Sequence, residues 1–275
     1  MEIKIHRSVK IISIITIILA IFILYLRFIG TSGLVVKEYK VKSKNIGFYH
    51  GLKIVHFSDI HYKTTFNQND LNNLVEKINY INPDIVVFTG DIFDKKIEYS
   101  NKDVKVLNEA FNKINAKYKK YAVKGDCDSE LFDEVIKNSN FIILDNDYDL
   151  LYINNIKPIL IAGFNDNLNK INDYISSDKA NQTYSILLTH EPDNIKNTDS
   201  FDLVLAGHSM NGQVRLPFIG GLIKTNGALT YNDEYYKINN TDLYISGGLG
   251  SKKVNLRLLN KPSINFYRIV KEMSN

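Results

Sequence analysis

The sequence contains a single cysteine, Cys127, which excludes any disulfide bond within the chain. The fold must therefore depend on its core and on any metal that it binds. The sequence also lacks a dense basic run with interleaved aromatic residues, and 34 basic against 30 acidic side chains leave a formal net charge of only +4. Nucleic acid is accordingly not expected as a partner.

Length and composition bound the architecture. The 275 residues are 44% hydrophobic and 23% charged, which is enough apolar material for one sizeable core or at most two small ones. This composition excludes disordered and fibrous proteins. No internal repeat or low-complexity block appears, so we predict a single globular domain.

The longest uncharged apolar run lies near the N-terminus, at residues 11–26, and with Arg27 to Ile29 it reaches the ~30 Å thickness of a bilayer core. Basic residues precede it and no small-residue cleavage site follows, which favours an uncleaved anchor over a removed signal peptide. Because lysines also follow the run, flanking charge gives no clean orientation. Large domains are commonly translocated, so we expect this one outside the cytoplasm. The predicted segments are a cytoplasmic tail (1–10), a transmembrane signal anchor (11–29), a linker (30–48) and the domain (49–275).

Beyond the linker, strand and helix patterns alternate for about a hundred residues, as in a layered α/β domain. Leu52 to Phe57 is predicted as a buried strand. Apolar residues at helical spacing follow from Leu71 to Ile78, behind a cap predicted at Asp70. The next strand is predicted at Ile85 to Phe88.

Polar residues follow five of the predicted strands, where ligands bind in open α/β sheets. A lone Asp or His after a strand is more often a turn residue than a ligand. The ordered set of five such groups is stronger evidence for a ligand site than a lone residue is. Carboxylates and imidazoles from several strand ends are what a two-metal hydrolytic site requires. These groups are Asp59-Ile60-His61, Asp91-Ile92-Phe93-Asp94, Gly125-Asp126-Cys127-Asp128, His190-Glu191 and Gly207-His208-Ser209-Met210.

In this order and spacing the motifs resemble those of the calcineurin-like metallophosphoesterases, and the likeness covers most of the chain beyond the apolar run. The stretch from Gly212 to Gly221, with Gly248-Leu-Gly-Ser later, is similar to the membrane-associated bacterial branch that includes YkuE and YaeI. The resemblance implies an α/β/β/α sandwich behind one transmembrane helix. It also implies hydrolysis of a phosphomonoester or phosphodiester, which could be lipid-linked, near the membrane.

Carried over by position, the resemblance implies a site for two divalent metal ions, of Mn, Fe, Zn or Mg, or for only one. Asp94 and Glu191 are expected to support the ligands rather than to bind metal. The implied ligands are Asp59 and His61 for one metal, Asp91 as the bridge, and Asp126, His190 and His208.

Three positions depart from the family pattern. Asp126 replaces an amide ligand, and Cys127 replaces the catalytic His of the loop that ends in Asp128. By position, the resemblance makes Cys127 and Asp128 the candidate catalytic residues. Met210 replaces a ligand His and offers a soft thioether to a site of hard ligands. The thiol of Cys127 is expected to stay protonated beside carboxylates and to supply no imidazolium. Asn211 could bring an amide oxygen to the ligand position that Met210 leaves unfilled.

These changes leave two principal hypotheses. The first is a membrane-anchored, metal-dependent phosphoesterase. The second is a catalytically impaired domain that binds metal, phosphate or a partner protein at the membrane. A third, in which Cys127 acts as a nucleophile, lacks an adjoining base. Arg215 is expected either to meet a phosphate or to form a salt bridge.

Overall fold

The structure, a computed structural model, describes residues 7–153, 157–165, 184–195 and 201–272. The helices are α1 Arg7–Leu24, α2 Gln68–Ile81, α3 Asn101–Lys113 and α4 Leu131–Lys137. The strands are β1 Val35–Ser43, β2 Leu52–Phe57, β3 Ile85–Phe88, β4 Lys119–Ala122, β5 Phe141–Ile143, β6 Asp147–Leu151, β7 Ile159–Phe164, β8 Ser185–Thr189, β9 Leu203–Ala206, β10 Arg215–Leu216, β11 Gly220–Gly221, β12 Tyr235–Ile238, β13 Thr241–Ile245 and β14 Ser263–Lys271.

Two six-stranded sheets form the centre of the fold. Their strand orders are β1-β14-β2-β3-β4-β5 and β12-β13-β9-β8-β7-β6. Strands β2, β3, β4 and β5 are parallel to one another, as are β7, β8 and β9. Parallel strands bring their carboxyl ends to one edge of a sheet, so the loops that follow them converge.

Three apolar clusters define the layers. Helices α2, α3 and α4 cover the outer face of the first sheet, where Leu74, Phe88 and Phe111 are buried together. The inner face packs against the second sheet through residues such as Ile54 and Ile186. The far face of the second sheet buries a third cluster. The predicted mixed α/β class with layered sheets is confirmed.

Helix α2 begins earlier than predicted. Asn67 is its N-cap, and the side chain of Asn67 accepts hydrogen bonds from the backbone N–H groups of Asn69 and Asp70. The carboxylate of Asp70 in turn accepts from the N–H of Asn67 at 2.9 Å, which completes a capping box. Asp70 is therefore the third helical residue rather than the cap.

The predicted linker contains a strand of the main sheet. Strand β1 pairs in parallel with β14 from Val35 opposite Ser263 to Ser43 opposite Lys271. Its alternating lysines are typical of an exposed edge strand, which is why its sequence resembles a polar linker. The first sheet therefore begins a few residues after the apolar helix ends.

The apolar N-terminal segment is one continuous helix. It runs through α1 and a π-helical turn at Tyr25–Ile29. The most apolar part of the stretch Ser8–Ile29 has a mean hydropathy of 2.8, and only 6% of that part is buried in the protein. That length and composition suffice to cross a membrane, and a signal sequence has the same properties. Residues 1–6 of the predicted tail lie outside the described residues. The C-terminal end of the helix meets the domain, because the N–H of Arg257 donates to the carbonyl of Leu26 at 3.2 Å.

Candidate metal centre

The loops after β2, β3, β4, β8 and β9 bring the predicted ligands to one place. We call Asp59 and His61 the first cluster and Asp126, His190 and His208 the second cluster. Asp91 lies between them, since one of its carboxylate oxygens, Oδ2, is 3.5 Å from His61 Nε2 and 3.3 Å from His190 Nε2. The structure therefore assembles all six residues.

The first cluster is fully buried and holds two unused polar atoms. Asp59 Oδ1 and His61 Nε2 are 3.8 Å apart, and neither has a hydrogen-bond partner among the described residues. The other carboxylate oxygen of Asp59 accepts from the N–H of His208 at 3.0 Å. Buried polar atoms are nearly always satisfied, so this pair needs a partner such as a cation.

The second cluster is more crowded. Asp126 Oδ1 is 3.2 Å from His190 Nε2 and 3.0 Å from His208 Nδ1, and the two imidazole nitrogens are 3.2 Å apart. Together with Asp91, these residues offer four ligand atoms within 4.8 Å of one another. Burial lowers the pKa of His190, but Asp91 and Asp126 outweigh it and hold that pKa well above its ordinary value.

All three histidines are oriented by the main chain. His61 Nδ1 donates to the carbonyl of Phe93 at 3.0 Å, and His190 Nδ1 donates to that of Thr89 at 2.6 Å. His208 uses its other nitrogen, Nε2, which donates to the carbonyl of Asn226 at 2.6 Å. In each ring the remaining nitrogen then faces the carboxylates, which is the orientation of metal-ligating histidines.

The backbone at these residues adopts a sparsely populated conformation. Asp59, His61, Asp91 and His208 have φ values of 51°, 39°, 61° and 65°. A non-glycine residue at positive φ costs of order 1 kcal/mol or more, and such strain gathers at functional sites. Gly125 lies so close that a Cβ built on it would be 2.2 Å from Asp91 Oδ1. The position admits only glycine.

Lys252 lies inside the site, and the sequence analysis missed it. Its ammonium is 2.8 Å from Asp126 Oδ1, 3.2 Å from Asp91 Oδ2 and 3.4 Å from His208 Nδ1. Burial lowers its pKa, but the carboxylates of Asp91 and Asp126 raise it above the ordinary value. Lys252 follows the quoted Gly248-Leu-Gly-Ser stretch directly, which was the signal that could have located it.

Cys127 contacts the site mainly through its backbone. The N–H of Cys127 donates to Asp91 Oδ1 at 2.8 Å, whereas its sulfur is 3.8 Å from Asp126 Oδ2. Burial and the nearby Asp91 carboxylate raise the pKa of the thiol well above its usual range. Cys127, His61 and Asp91 also form a second group of atoms close enough together to hold a metal.

Asp128 lies behind the metal-facing atoms. Its two carboxylate oxygens accept from the backbone N–H groups of residues 91, 92, 93 and 125, at 2.8 to 3.3 Å. Burial and the Asp91 carboxylate nonetheless raise the pKa of Asp128 to about 7. A role in catalysis stays a prediction, while these contacts join the loops that carry Asp91 and Asp126.

Met210 is buried beside the first cluster. A Cβ built on Gly248 would lie 2.8 Å from the methyl carbon, Cε, of Met210 and 3.1 Å from the Cβ of Asp59. Asn211 is also buried, and both polar atoms of its side chain lack a hydrogen-bond partner among the described residues. A role for Asn211 as a ligand stays a prediction.

The supporting residues lie at the margin. Asp94 Oδ2 is 3.6 Å from His61 Nδ1, and Glu191 accepts from the side chain of Asn194 at 3.1 Å. Arg215 forms a salt bridge with Asp233 at 2.7 Å, which is the second of its two expected roles.

Comparisons with known proteins identify the family. The family model for calcineurin-like phosphoesterase matches residues 52–212. The uncharacterized metallophosphoesterase YkuE of Bacillus subtilis is 32% identical over 89% of this chain and 88% of its own length. YkoQ of the same organism, another uncharacterized metallophosphoesterase, is 28% identical over 92% of this chain and 99% of its own.

A zebrafish (Danio rerio) protein described as a transmembrane protein with metallophosphoesterase domain is 24% identical over 78% of this chain, which spans 52% of it. The family typically binds divalent metals, and the cluster of possible ligands described above is consistent with metal binding. The chain belongs to the calcineurin-like phosphoesterase family.

Proposed function

We propose that this protein is a membrane-anchored, metal-dependent phosphoesterase that hydrolyses a phosphomonoester or phosphodiester. The observation that carries the proposal is the shared orientation of the three histidines, each fixed by a backbone carbonyl and each turning its other nitrogen toward a carboxylate of the site. With a divalent ion bound, the imidazoles would be deprotonated and would present lone pairs to that ion together with the carboxylates.

In this proposal Asp59 and His61 hold one divalent ion, His190, His208 and Asp126 face the second, and Asp91 serves both. Bound divalent ions would lower the pKa of water and neutralise charge on the phosphoryl oxygens. Asp91 is held in place by the N–H of Cys127 and by its nearness to both clusters. Burial raises its pKa, but His190, His61 and Lys252 bring that pKa well below the ordinary value, which favours the ionised form.

The test uses the full-length chain in detergent, with a chromogenic phosphodiester and the matching monoester as substrates. We expect turnover with added Mn²⁺ and none with EDTA. Asp91→Asn should lower the rate by at least about 100-fold, because it weakens the shared ligand of both clusters. A chain that binds no divalent metal contradicts the proposal.

A second candidate is a domain that binds metal or phosphate without turning substrate over. It is supported by Cys127, whose protonated thiol stands where the family has a catalytic His, and by Met210. Metal uptake with no turnover, followed by a gain of activity in the triple variant Asp126→Asn, Cys127→His, Met210→His, would establish it.

We further propose that the apolar helix anchors the protein, with the domain outside the cytoplasm and its substrate at the membrane surface, where a lipid-linked phosphoester is one form it could take. The helix at Ser8–Ile29 and its contact with Arg257 support this arrangement. Protease treatment of intact cells should degrade the domain, and protection of the domain until lysis would reverse the orientation.

A further inference from the structure

We infer that Lys252 is a tethered cation that competes with the second divalent metal, so that the unmodified site takes one ion tightly at the first cluster and a second only weakly. The inference deepens the proposed function and rests on its metal centre. It concerns a residue outside the motifs of the predicted site.

The contacts of Lys252 carry the inference. Its ammonium touches Asp91, Asp126 and His208, which are three of the four residues that could hold a metal in the second cluster. The first cluster is different, because no ammonium touches the free atoms of Asp59 and His61 among the described residues. A cation is thus already supplied to one cluster and not to the other.

Burial makes this contact a fixed part of the site. The side chain of Lys252 is only 15% exposed, against 31% for that of Asp126. Lys95 also approaches Asp126, at 3.4 Å, but its side chain is 65% exposed. A less exposed ammonium interacts more strongly with these carboxylates than a solvent-exposed one, so Lys252 rather than Lys95 is the cation that a metal must displace.

The loop that carries Lys252 is rigid. Arg257 is fully buried, and its guanidinium donates to the carbonyls of Gly247, Gly250 and Asn260 at 2.7 to 3.0 Å. The N–H of Lys252 donates to the side-chain oxygen of Gln213 at 2.9 Å. The stem of Lys252 therefore begins from a fixed point.

Asp126 complements this lysine. A carboxylate stands where the family has an amide ligand, and its negative charge meets the ammonium of Lys252. An amide at this position would leave the ammonium with Asp91 as its single anionic partner in the site. The charges of Asp126 and Lys252 thus balance each other.

The experiment measures Mn²⁺ binding to the metal-stripped, full-length chain in detergent, by electron paramagnetic resonance of the free ion. Lys252→Met removes the charge and keeps the length of the side chain, and Lys253→Met is the matched control because Lys253 is exposed and donates to the carbonyl of Lys224. We expect the second ion to bind at least about 10-fold more tightly to Lys252→Met than to the wild type or the control.

Two equally tight ions in the wild type and in Lys252→Met would overturn the inference and leave the proposed metal centre standing. One ion in both would also overturn it, since another feature would then exclude the second. No Mn²⁺ bound by either would remove the proposed function as well.

A second measurement needs no variant. An amine-acylating reagent, read out by peptide mass mapping, should modify Lys252 slowly in the metal-free chain. Saturating Mn²⁺ should release Lys252 and raise its rate, while the rate at Lys253 stays constant. Equal reactivity of the two lysines without metal contradicts the inference.

A separate observation concerns the hairpin formed by β10 and β11. Its tip exposes Phe218 completely and Ile219 to 70%, and Leu259, which follows Leu258 in the neighbouring loop, is exposed to 67%. The hairpin is fixed to the loop that receives the apolar helix, because the N–H of Arg215 donates to the carbonyl of Leu258 at 3.0 Å and Arg257 bonds to Leu26.

We propose that this tip enters the bilayer that the helix spans. The hairpin is bonded to the loop that also holds the helix end, and Lys261 in that loop lies 4.0 Å from a Cβ built on Gly33, just after the helix. Exposed apolar side chains beside basic ones suit the boundary between acyl chains and headgroups. The proposal rests on membrane anchoring.

The test places a fluorophore on Phe218→Cys in the full-length chain, reconstituted into vesicles whose lipids carry a nitroxide in the acyl chain. Tyr80→Cys is the matched control, because Tyr80 is 92% exposed on α2. We expect strong quenching at 218 and little at 80. Equal quenching at both positions overturns the proposal, and release of the chain by alkaline carbonate shows instead that the anchor fails.

Discussion

The two clusters offer the same kinds of ligand atom, yet they differ in what those atoms already touch. In the first cluster Asp59 Oδ1 and His61 Nε2 are fully buried and unpaired among the described residues. In the second cluster the corresponding atoms contact one another and the ammonium of Lys252. Burial without partners favours binding of an external cation, whereas an internal cation opposes it. Affinity within one shared centre can therefore be divided unequally.

Removing an imidazole from the first cluster should have the largest effect. His61→Ala deletes one of the two unpaired atoms and the contact with Asp91, so the first ion should bind at least about 100-fold more weakly. Mn²⁺ titration of the full-length variant measures this. His56→Ala is not a suitable control because His56 is buried, whereas His50→Ala changes an exposed residue. A loss of Mn²⁺ affinity below tenfold would show that the unpaired atoms of the first cluster do not make it the tighter of the two sites.

Neutralising the second cluster should have a smaller effect. In the Lys252→Met background, Asp126→Asn should weaken the second ion by about 10-fold, because an amide oxygen carries no net charge. The first ion should change little, since Asp126 is not in contact with Asp59 or His61. Equal weakening of both ions would indicate that the charge of Asp126 acts on the whole centre.

The smallest effect is expected at Cys127. Cys127→Ser should change Mn²⁺ affinity by less than about 2-fold, because Mn²⁺ prefers oxygen ligands and the thiol stays protonated. Its backbone N–H continues to support Asp91 in the variant. Isothermal calorimetry with Mn²⁺, repeated with thiophilic Cd²⁺, tests this. A large loss with both metals would make Cys127 a ligand alongside His61 and Asp91.

Much of the fold follows from local sequence. The strands at Leu52–Phe57 and Ile85–Phe88 and the helix between them are strongly patterned, and the structure contains all three. Strand β1 could not be predicted in this way, because its partner β14 lies more than two hundred residues later and its lysines suggest an exposed linker. Pairing at that separation leaves no local signal.

The site shows the same limit. The carboxylates and histidines follow buried strands, so their convergence could be predicted from strand order. Lys252 belongs to an irregular loop whose course is set by the buried Arg257 and by Gln213. Only the folded chain places it against Asp126. The local sequence around a charged loop residue does not predict where its side chain lies in the folded protein.

The short connection between the apolar helix and β1 has a mechanical consequence. Ile29 ends the helix and Val35 begins the strand, so the intervening five residues span at most about 18 Å, and Arg257 further fixes the helix end to the domain. With the helix in a bilayer, the domain has little freedom to tilt or to drift from the surface. In the proposed membrane-anchored form, the protein would search for its substrate in two dimensions with a fixed orientation, and a phosphate carried far from the membrane would lie outside its reach.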